Sequence, residues 1–359
     1  MIHLVRLFQF LSLFLTIFAG LPGVPRYDST LRRNLTAVQH ETESFKIDRD
    51  KIKYAICLTG QLLRLELGSK LKHIVEANLN KDLFLSLYLV LDSEVKEHKA
   101  VKNKNRYRLE DAIYANHSTQ SLYQVIKDFI PHSSFTIHVR LEPPTQKTFL
   151  VRPEGSPVSA QNLTGIEEKD RAYAYERFQN HMRWQNGLRE CIKWVQAVEV
   201  AHKFHYDFVM RIREDTFVLE NFFFFSGTKG KLISQGIHSF GGVNDHNMVV
   251  DRAFADDLFR GLTEDYYLNI NSHGIYWRNP EMLLRRMANY YGIPRIEKNL
   301  CLFPFLAIKY RENSTHWNIA ATYRREELQI YQNMYKKHCW GKYKGSANFG
   351  HVRLMEPDI

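Results

Sequence analysis

Most familiar catalytic signatures are absent from this sequence. It contains no Ser-His-Asp order, no zinc-binding spacing, no Walker loop and no Gly-x-Gly-x-x-Gly stretch. Their absence argues against hydrolases, metalloproteases and dinucleotide-dependent enzymes. No basic block alternates with aromatic residues, as it would in an RNA- or DNA-binding stripe. The formal net charge of +10 therefore favours an anionic small-molecule substrate over nucleic acid.

Cysteine is also scarce, and no two cysteines are close enough in sequence to suggest a metal site. An even number suits an oxidising compartment, so we predict at least one disulfide. Three pairings are possible, and the pair Cys301 with Cys339 closes the shortest loop. For Cys57, which lies in an apolar strand pattern, a buried free thiol is the alternative. The four are Cys57, Cys191, Cys301 and Cys339.

Charge is nearly missing from residues 7–24, which are rich in Leu and Phe. Residues 7–18 have the length of a signal-peptide core, and the whole run approaches the roughly 17–20 residues that span a bilayer. Two readings stay open for residues 1–25: a cleaved signal peptide, or a type II membrane anchor. Either places the body in the Golgi or ER lumen, and cleavage would allow secretion. N-glycosylation sequons begin at Asn34, Asn116, Asn162 and Asn313.

The remainder divides into a polar stem, residues 26–51, and a single α/β domain, residues 52–359. Apolar runs predict buried strands, and amphipathic stretches between them predict helices. Their alternation predicts a mostly parallel central sheet with helices on both faces. The predicted strands cover residues 54–59, 83–91, 135–141, 206–211, 237–240 and 248–250. The predicted helices cover residues 67–79, 121–130, 171–205 with a break near Gly187, 252–262 and 280–291.

Clustered charges end the buried strand that begins at Tyr206: Arg211, Arg213, Glu214 and Asp215. A buried charge is costly unless it is paired or binds a metal, and ligands of open α/β sheets bind just beyond the carboxyl ends of strands. We therefore interpret Asp215, assisted by Glu214, as a ligand of Mn²⁺ or Mg²⁺. Arg211 and Arg213 would bind a diphosphate. The plain alternative is an ion-pair network at the end of an ordinary strand.

Two further segments are candidates for the same site. Gly60, Gln61 and Arg64 follow the first strand, where a doubly wound sheet commonly faces a nucleotide. A plain turn is the alternative. His351, in the stretch Asn348 to His351, would complete a metal site, and the alternative is a surface or core histidine.

A metal beside a diphosphate is the chemistry of a nucleotide-sugar site, in which a second molecule accepts the sugar. A glycine-rich turn and a helix start would form the side of the site that holds the sugar or this acceptor. Gly242 and Asn244 would bind the acceptor or sugar, and Asp245 or Glu281 would act as the catalytic carboxylate. Two glycines allow close backbone approach. The alternatives are a tight turn with an Asx cap and, for Glu281, a favourable first-turn charge.

The order of these motifs resembles a group of glycosyltransferase-like proteins that includes the WavE lipopolysaccharide-synthesis family and uncharacterised eukaryotic relatives. The shared pattern is a strand ending in Arg-x-Arg-x-Asp, here Arg211 to Asp215, followed by a Gly-Gly-x-Asn-Asp turn, here Gly241 to Asp245. The stretches Leu58 to Gln61 and Asn279 to Glu281 complete it, and the resemblance extends over residues 53–306.

The resemblance implies a GT-A-like nucleotide-diphospho-sugar transferase fold, with a nucleotide-diphospho-sugar donor and a glycan or glycoconjugate acceptor. One departure concerns the metal. The usual Asp-x-Asp of GT-A enzymes is replaced by the single Asp215, so Arg213 is a candidate to replace part of the cation's charge. We therefore expect a luminal, membrane-attached glycosyltransferase. The alternative from another class is a secreted carbohydrate-binding protein with this fold and no turnover.

Overall fold

The computed structural model describes residues 51–79, 81–93, 114, 116–131, 135–142, 171–224, 229–236, 239, 241–261, 280–307, 333, 335–337 and 339, with the backbone alone for residues 171–182. All of them belong to one unit, residues 40–359. The search for a helix able to span a membrane covered these residues and found none. The predicted anchor, nearly all of the stem and His351 lie outside them.

A seven-stranded sheet forms the centre of this unit. Its strands are β1 (Ile52–Gln61), β2 (Leu83–Asp92), β3 (Phe135–Glu142), β4 (Phe208–Arg213), β6 (Leu232–Gln235), β7 (Asn247–Asp251) and β8 (Arg295–Lys298), while β5 (Thr216–Val218) and β9 (Phe305–Ala307) form a separate antiparallel pair. The strand order is β3-β2-β1-β4-β7-β6-β8. Four of the six strand pairings in this sheet are parallel, because β7 is the strand that runs against the other six. The predicted α/β class with a mostly parallel sheet is therefore confirmed.

The central strands are apolar because the sheet is covered on both faces. One face packs against α2 (Arg171–His202), α3 (Arg252–Gly261) and α4 (Pro280–Tyr290). The other packs against α1 (Thr119–Phe129) and an interrupted helix made of Gly68–Lys70, Leu71–Glu76 and Ala77–Leu79. Alternate residues of β1 serve the two cores: Ala55 and Cys57 face α2, and Ile56 faces the interrupted helix.

Three local predictions differ from the structure. Helix α2 is continuous through Gly187, so the predicted break there is wrong; a Cβ on Gly187 would lie 3.5 Å from the Cβ of Thr59, and the glycine gives a close approach of helix to sheet. The interrupted helix contains a π-helical middle, Leu71–Glu76, that a simple helical pattern does not foresee. Strands β5, β6, β8 and β9 were not predicted. The strand predicted for residues 237–240 falls almost wholly outside the described residues.

Two disulfides confirm the prediction of at least one. Cys301 pairs with Cys339, and Cys57 pairs with Cys191 across a Cα–Cα distance of 6.0 Å. The free-thiol reading of Cys57 is therefore wrong. The reason is that Cys191 lies on the sheet-facing side of α2, directly over β1. This bond fixes α2 to the strand whose carboxyl end opens into the candidate site.

Candidate functional site

The motifs that the sequence separates come together at the carboxyl ends of β1 and β4. These strands are parallel neighbours, with Thr59 opposite Arg213. The turn after β4 is fixed by a hydrogen bond from the amide of Glu214 to the carbonyl of Thr59, 3.2 Å. The glycine-rich loop joins through the amide of Arg213, which donates to the carbonyl of His246 over 2.7 Å. The start of α4 joins through the amide of Val243, which donates to Glu281 over 2.9 Å.

Asp215 is held by two arginines. Nε of Arg213 donates to its Oδ1 over 2.5 Å, and Nη2 donates to Oδ2 over 3.0 Å. Nη1 of Arg64 adds a contact to Oδ2 at 3.3 Å. Burial by itself would raise the pKa of Asp215, but the guanidiniums of Arg213 and Arg64 outweigh it and hold that pKa well below its usual value. Asp215 is therefore ionised at neutral pH, which is the form that pairs with the two arginines.

Glu214 occupies a pocket that a glycine creates. Its side chain is fully buried and forms an ion pair with Arg64. A Cβ on Gly60 would lie 1.7 Å from Oε2 of Glu214, and Gly60 has a φ of +144°. Both facts require glycine at this position. Burial, and then the neighbouring Asp215, raise the pKa of Glu214 against the effect of Arg64. Gln61 ends β1 opposite Asp92.

These carboxylates are paired with arginines as they are arranged. Both oxygens of Asp215 are engaged by guanidiniums, and Glu214 is engaged by Arg64. Among the described residues, no group of three or more His, Cys, Asp or Glu side chains is placed to hold a metal ion. His351 is not among those residues, so its predicted part in a metal site stays a prediction, as does the role of Mn²⁺ or Mg²⁺.

Asp245 connects the two halves of the site. Its Oδ2 lies 3.5 Å from Nη1 of Arg213, and its Oδ1 lies 3.3 Å from Nε2 of His246. It also shares a hydrogen bond with the carboxyl of Glu281. Burial first, and then the charge of Asp245, raise the pKa of Glu281 to about 8. A raised pKa favours the protonated form of Glu281 at neutral pH, and this proton lies in the hydrogen bond with Asp245.

Two residues of the glycine-rich loop, Gly242 and Asn244, have structural roles in the folded chain. A Cβ on Gly242 would lie 2.0 Å from the carbonyl carbon of Glu281, so only glycine lets this loop lie against the start of α4. Oδ1 of Asn244 accepts from the amide of His246 over 2.8 Å, which is the Asx turn that the sequence offered as the alternative. Its Nδ2 faces Oε1 of Gln235 at 3.4 Å. A contact of Gly242 or Asn244 with an acceptor stays a prediction.

Arg211 differs from its neighbours because none of the described residues accepts a hydrogen bond from it. Its side chain is fully buried, and Nε, Nη1 and Nη2 all lack partners. The guanidinium carbon lies 5.4 Å from the ring centroid of Trp184 on α2. Burial lowers the pKa of Arg211 to about 10, although the charge of Asp245 opposes this. Arg211 is therefore a buried cation at pH 7, close to carboxylates but bonded to none of them.

Sequence reasoning missed two members of this site. His246 ends the glycine-rich segment that begins at Gly241, but no role was predicted for it from the sequence, and its only signal was the adjacent aspartate. Lys70 lies on the opposite face of the sheet, where its Nζ donates to the backbone carbonyls of Glu66, Glu214 and Thr216, the second of these over 2.9 Å. A lysine in an amphipathic helix gives no sign of burial, so this residue could not be identified from the pattern.

A scan of protein-family models and a search of curated proteins both found no match to this chain.

Proposed function

We propose that this protein is a luminal glycosyltransferase, which moves a sugar from a nucleotide-diphosphate donor to a glycan or glycoconjugate. The observation that carries the proposal is Arg211, a buried guanidinium without a hydrogen-bond acceptor among the described residues, at the carboxyl end of a parallel strand. That edge is where open α/β sheets bind their ligands. Phosphate is a ligand that guanidinium groups bind well.

The roles of the two arginines differ from each other in this proposal. Arg213 is engaged by Asp215 and Asp245, so it orders the carboxylates and adds its charge to the site. Arg211 is fully buried with its N–H donors unused by the described residues, and in this proposal those donors bind the diphosphate. As the bond between the anomeric carbon and the diphosphate oxygen breaks, negative charge grows on the leaving group, and a fixed guanidinium stabilises it.

The carboxylate pair supplies the acceptor side of the reaction. When the acceptor oxygen bonds to the anomeric carbon, its proton must leave. Asp245 is the ionised member of the pair and takes that proton, while protonated Glu281 keeps Asp245 oriented through their shared hydrogen bond. Gly60, Gln61 and Arg64 would border the nucleotide, and Gly242 and Asn244 would border the acceptor.

The proposal includes the secretory compartment and a membrane attachment through residues 1–25. Four sequons and two disulfides agree with a luminal site of folding. Expressed in eukaryotic cells, the full chain should move to lower mass after treatment with an N-glycosidase. An unglycosylated cytosolic product would contradict the location.

Calorimetric titration tests the donor class directly. UDP, GDP and CMP are titrated into the full chain with and without Mn²⁺, and nucleotide release from the matching sugar donors is then followed in the presence of glycan acceptors. We expect one nucleotide to bind and its sugar donor to turn over. Arg213→Lys should lose activity because the planar fork on Asp215 is lost. Arg140→Lys is the matched control, since Arg140 also bridges two carboxylates, Glu142 and Glu190, at the end of β3.

A second function has one observation in its favour. Because Asp215 has both oxygens bound to arginines, the site is also compatible with a secreted carbohydrate-binding protein that performs no chemistry. Glycan binding without nucleotide binding or release would support that function and reject the transferase. Metal dependence is decided in the same titrations, because a Mn²⁺ requirement would show that a carboxylate exchanges its arginine for the ion.

A further inference from the structure

Helix α2 crosses the carboxyl ends of β1 and β4 at a single helical turn, residues 184–187. Gly187 in this turn lies against Thr59 of β1, and the ring of Trp184 lies over the guanidinium of Arg211. The disulfide of Cys57 fixes the helix on the same face of β1. The turn therefore covers the part of the candidate site that lies beneath α2, at Thr59 and Arg211.

Gln185 in this turn occupies a core position. The sheet-facing stripe of α2 recurs every three to four residues as Leu188, Ile192, Val195 and Glu199, all buried, and Gln185 is the previous position of that stripe. Its exposed fraction is 0 %, and the described structure offers no hydrogen-bond partner to either of its amide atoms. A side chain with a donor and an acceptor thus stands where the pattern calls for an apolar one.

Three neighbours share this condition. In the described part of the chain no partner meets Oγ1 of Thr59, Nε1 of Trp184 or any nitrogen of Arg211. Thr59 is 1 % exposed and Arg211 is 0 % exposed. Buried polar groups in native proteins almost always have a partner, and each exception needs a physical reason. Oε2 of Glu214, beside Gly60, also lacks a partner among the described residues at this end of the sheet, and it is an acceptor. The four groups on or against one turn of α2 are mainly donors, and a single shared partner is the simplest reason for all of them.

The chemistry of the four groups defines that partner. The guanidinium offers five N–H donors, the indole one, the amide two, and the hydroxyl one, so donors far outnumber acceptors. The guanidinium also carries a positive charge with no acid bonded to it. Its planar fork matches the two oxygens of a carboxylate or a phosphate. A partner with several acceptor oxygens and a negative charge satisfies every member of the set.

We propose that Thr59, Trp184, Gln185 and Arg211 form an inner subsite that binds an oxyanion of the ligand. The subsite rests on the proposed function for the entry of the ligand from the carboxyl edge of the sheet. It adds Gln185, Thr59 and Trp184 to Arg211 as ligand-binding residues. The oxyanion is a phosphate of the donor or the carboxylate of an acidic sugar, since both present the same oxygens to the guanidinium.

The test uses apolar replacements of similar shape in the full chain, produced in eukaryotic cells so that both disulfides form. Gln185→Leu and Arg211→Met remove the polar groups. Asn186→Leu is the matched control, because Asn186 is the next residue of α2, is partly exposed and accepts a hydrogen bond from Arg189. Inorganic pyrophosphate, glucuronate, UDP and GDP are titrated calorimetrically into each protein, and the thermal midpoint is measured without ligand.

We expect the wild type and Asn186→Leu to bind at least one of the four probes. Gln185→Leu should bind it about tenfold more weakly, and Arg211→Met should show no detectable binding. The ligand-free thermal midpoint of Gln185→Leu should equal or exceed that of the wild type, since an unsatisfied amide is removed. Binding of pyrophosphate would assign a phosphate, and binding of glucuronate would assign a carboxylate.

Two outcomes overturn the subsite. One is unchanged affinity for UDP or GDP in both variants, which leaves the proposed function standing with the anion elsewhere. The other is a wild type that binds none of the four probes. The same titrations can reject the proposed function and keep the subsite. If glucuronate or pyrophosphate binds and neither nucleotide does, the subsite stands and the nucleotide-sugar function fails.

Discussion

Lys70 and Arg211 are two buried cations on opposite faces of the sheet, and they are solvated in opposite ways. The ammonium of Lys70 donates to three backbone carbonyls, among them those of Glu214 and Thr216 in the turn after β4. The guanidinium of Arg211 meets no acceptor in the described part of the chain. Burial lowers the pKa of both groups, against the pull of nearby carboxylates.

The difference separates a buried charge that serves the fold from one that we propose serves a ligand. The ammonium of Lys70 exchanges its water ligands for carbonyl oxygens of the chain, so its hydrogen bonds are satisfied by folding alone. Arg211 keeps its hydrogen-bonding capacity unused, and a buried charge in that condition is costly. The charges of Asp245, Glu214 and Asp215 favour the charged form of this arginine without accepting its hydrogen bonds, and in our proposal a ligand supplies the acceptors.

The largest expected effect comes from breaking the satisfied cation. Lys70→Met removes three hydrogen bonds from a buried ammonium to backbone carbonyls, of which only that of Glu214 is known to keep a second donor, the amide of Glu66. We therefore expect a loss of about 3 kcal/mol in the free energy of unfolding. Arg211→Met should stay within about 1 kcal/mol of the wild type, because it removes a charge that had no bond to lose. Urea unfolding followed by circular dichroism measures both.

Lys53→Met is the matched control for Lys70, because the Lys53 side chain is also buried but donates to the carbonyl of Lys51, only two residues away. It should cost clearly less than Lys70→Met. Equal losses for Lys70→Met and Arg211→Met would remove the distinction drawn between the two cations.

Asp215→Asn sharpens the comparison from the acidic side. Asp215 is a satisfied buried charge that also lies in the site, so the substitution should abolish transfer and lower the free energy of unfolding by about 2 kcal/mol. Because the pKa of Asp215 is depressed from 3.8 in the folded state, the advantage of wild type over variant is full above that pH and is lost as the pH falls below it. Stability is measured from pH 7 to pH 3.

Asp207→Asn, at the opposite end of β4 and exposed, controls for the loss of a strand-end aspartate. Wild-type transfer activity in Asp215→Asn would show that the chemistry lies elsewhere.

Glu281→Gln tests whether a buried carboxyl group is kept protonated in the folded protein, in contrast to the ionised Asp215. An unfolded glutamate with the ordinary pKa of 4.5 loses its proton below neutrality, whereas folded Glu281 keeps it up to about pH 8. The folded state binds more protons in that interval, so wild-type stability falls as the pH rises through it. Between pH 5 and pH 9 the wild type should lose roughly 1–3 kcal/mol more than Glu281→Gln. The exposed Glu297→Gln should follow the wild type, and parallel profiles for all three proteins would contradict the shared proton.

Gly187→Ala has the smallest expected effect and measures the room above Thr59. The added methyl group would lie 3.5 Å from the Cβ of Thr59, an ordinary contact. Alanine in a helix interior is favoured over glycine by about 0.5–1 kcal/mol, so the variant should be slightly more stable in thermal unfolding. A loss of stability would mean that α2 packs too tightly against Thr59 to accept a methyl group, which would weaken the case for an oxyanion bound beneath this helix.

The sequence predicts the frame of this molecule better than its site. The runs at Tyr54 and Leu83 are apolar because both faces of their strands are buried, and this signal is visible without any partner. The convergence of Asp215, Asp245 and Glu281 follows less directly, since it depends on a loop and a helix start far along the chain. The strand order that joins them is not encoded in any local pattern.

Other features could not be predicted from the sequence pattern. Gln185 and Thr59 read as ordinary polar interruptions, because their lack of partners exists only in the folded chain. Gly187 suggested a helix break, but the absent side chain serves the packing of α2 on β1 instead. Protonation of Glu281 required its distance from Asp245 and its burial, and neither can be read from sequence.

The two disulfides pair the cysteines in the order in which they leave the ribosome. Cys57 appears first and Cys191 second, so the first thiol that Cys57 can meet is its native partner. Cys301 and Cys339 follow together, 38 residues apart. If the chain enters the lumen as we propose and oxidises on the way, it needs no reshuffling, since the earliest possible pairing is the correct one at each stage. Delayed oxidation, with all four thiols exposed at once, would open the two wrong pairings and demand an isomerase.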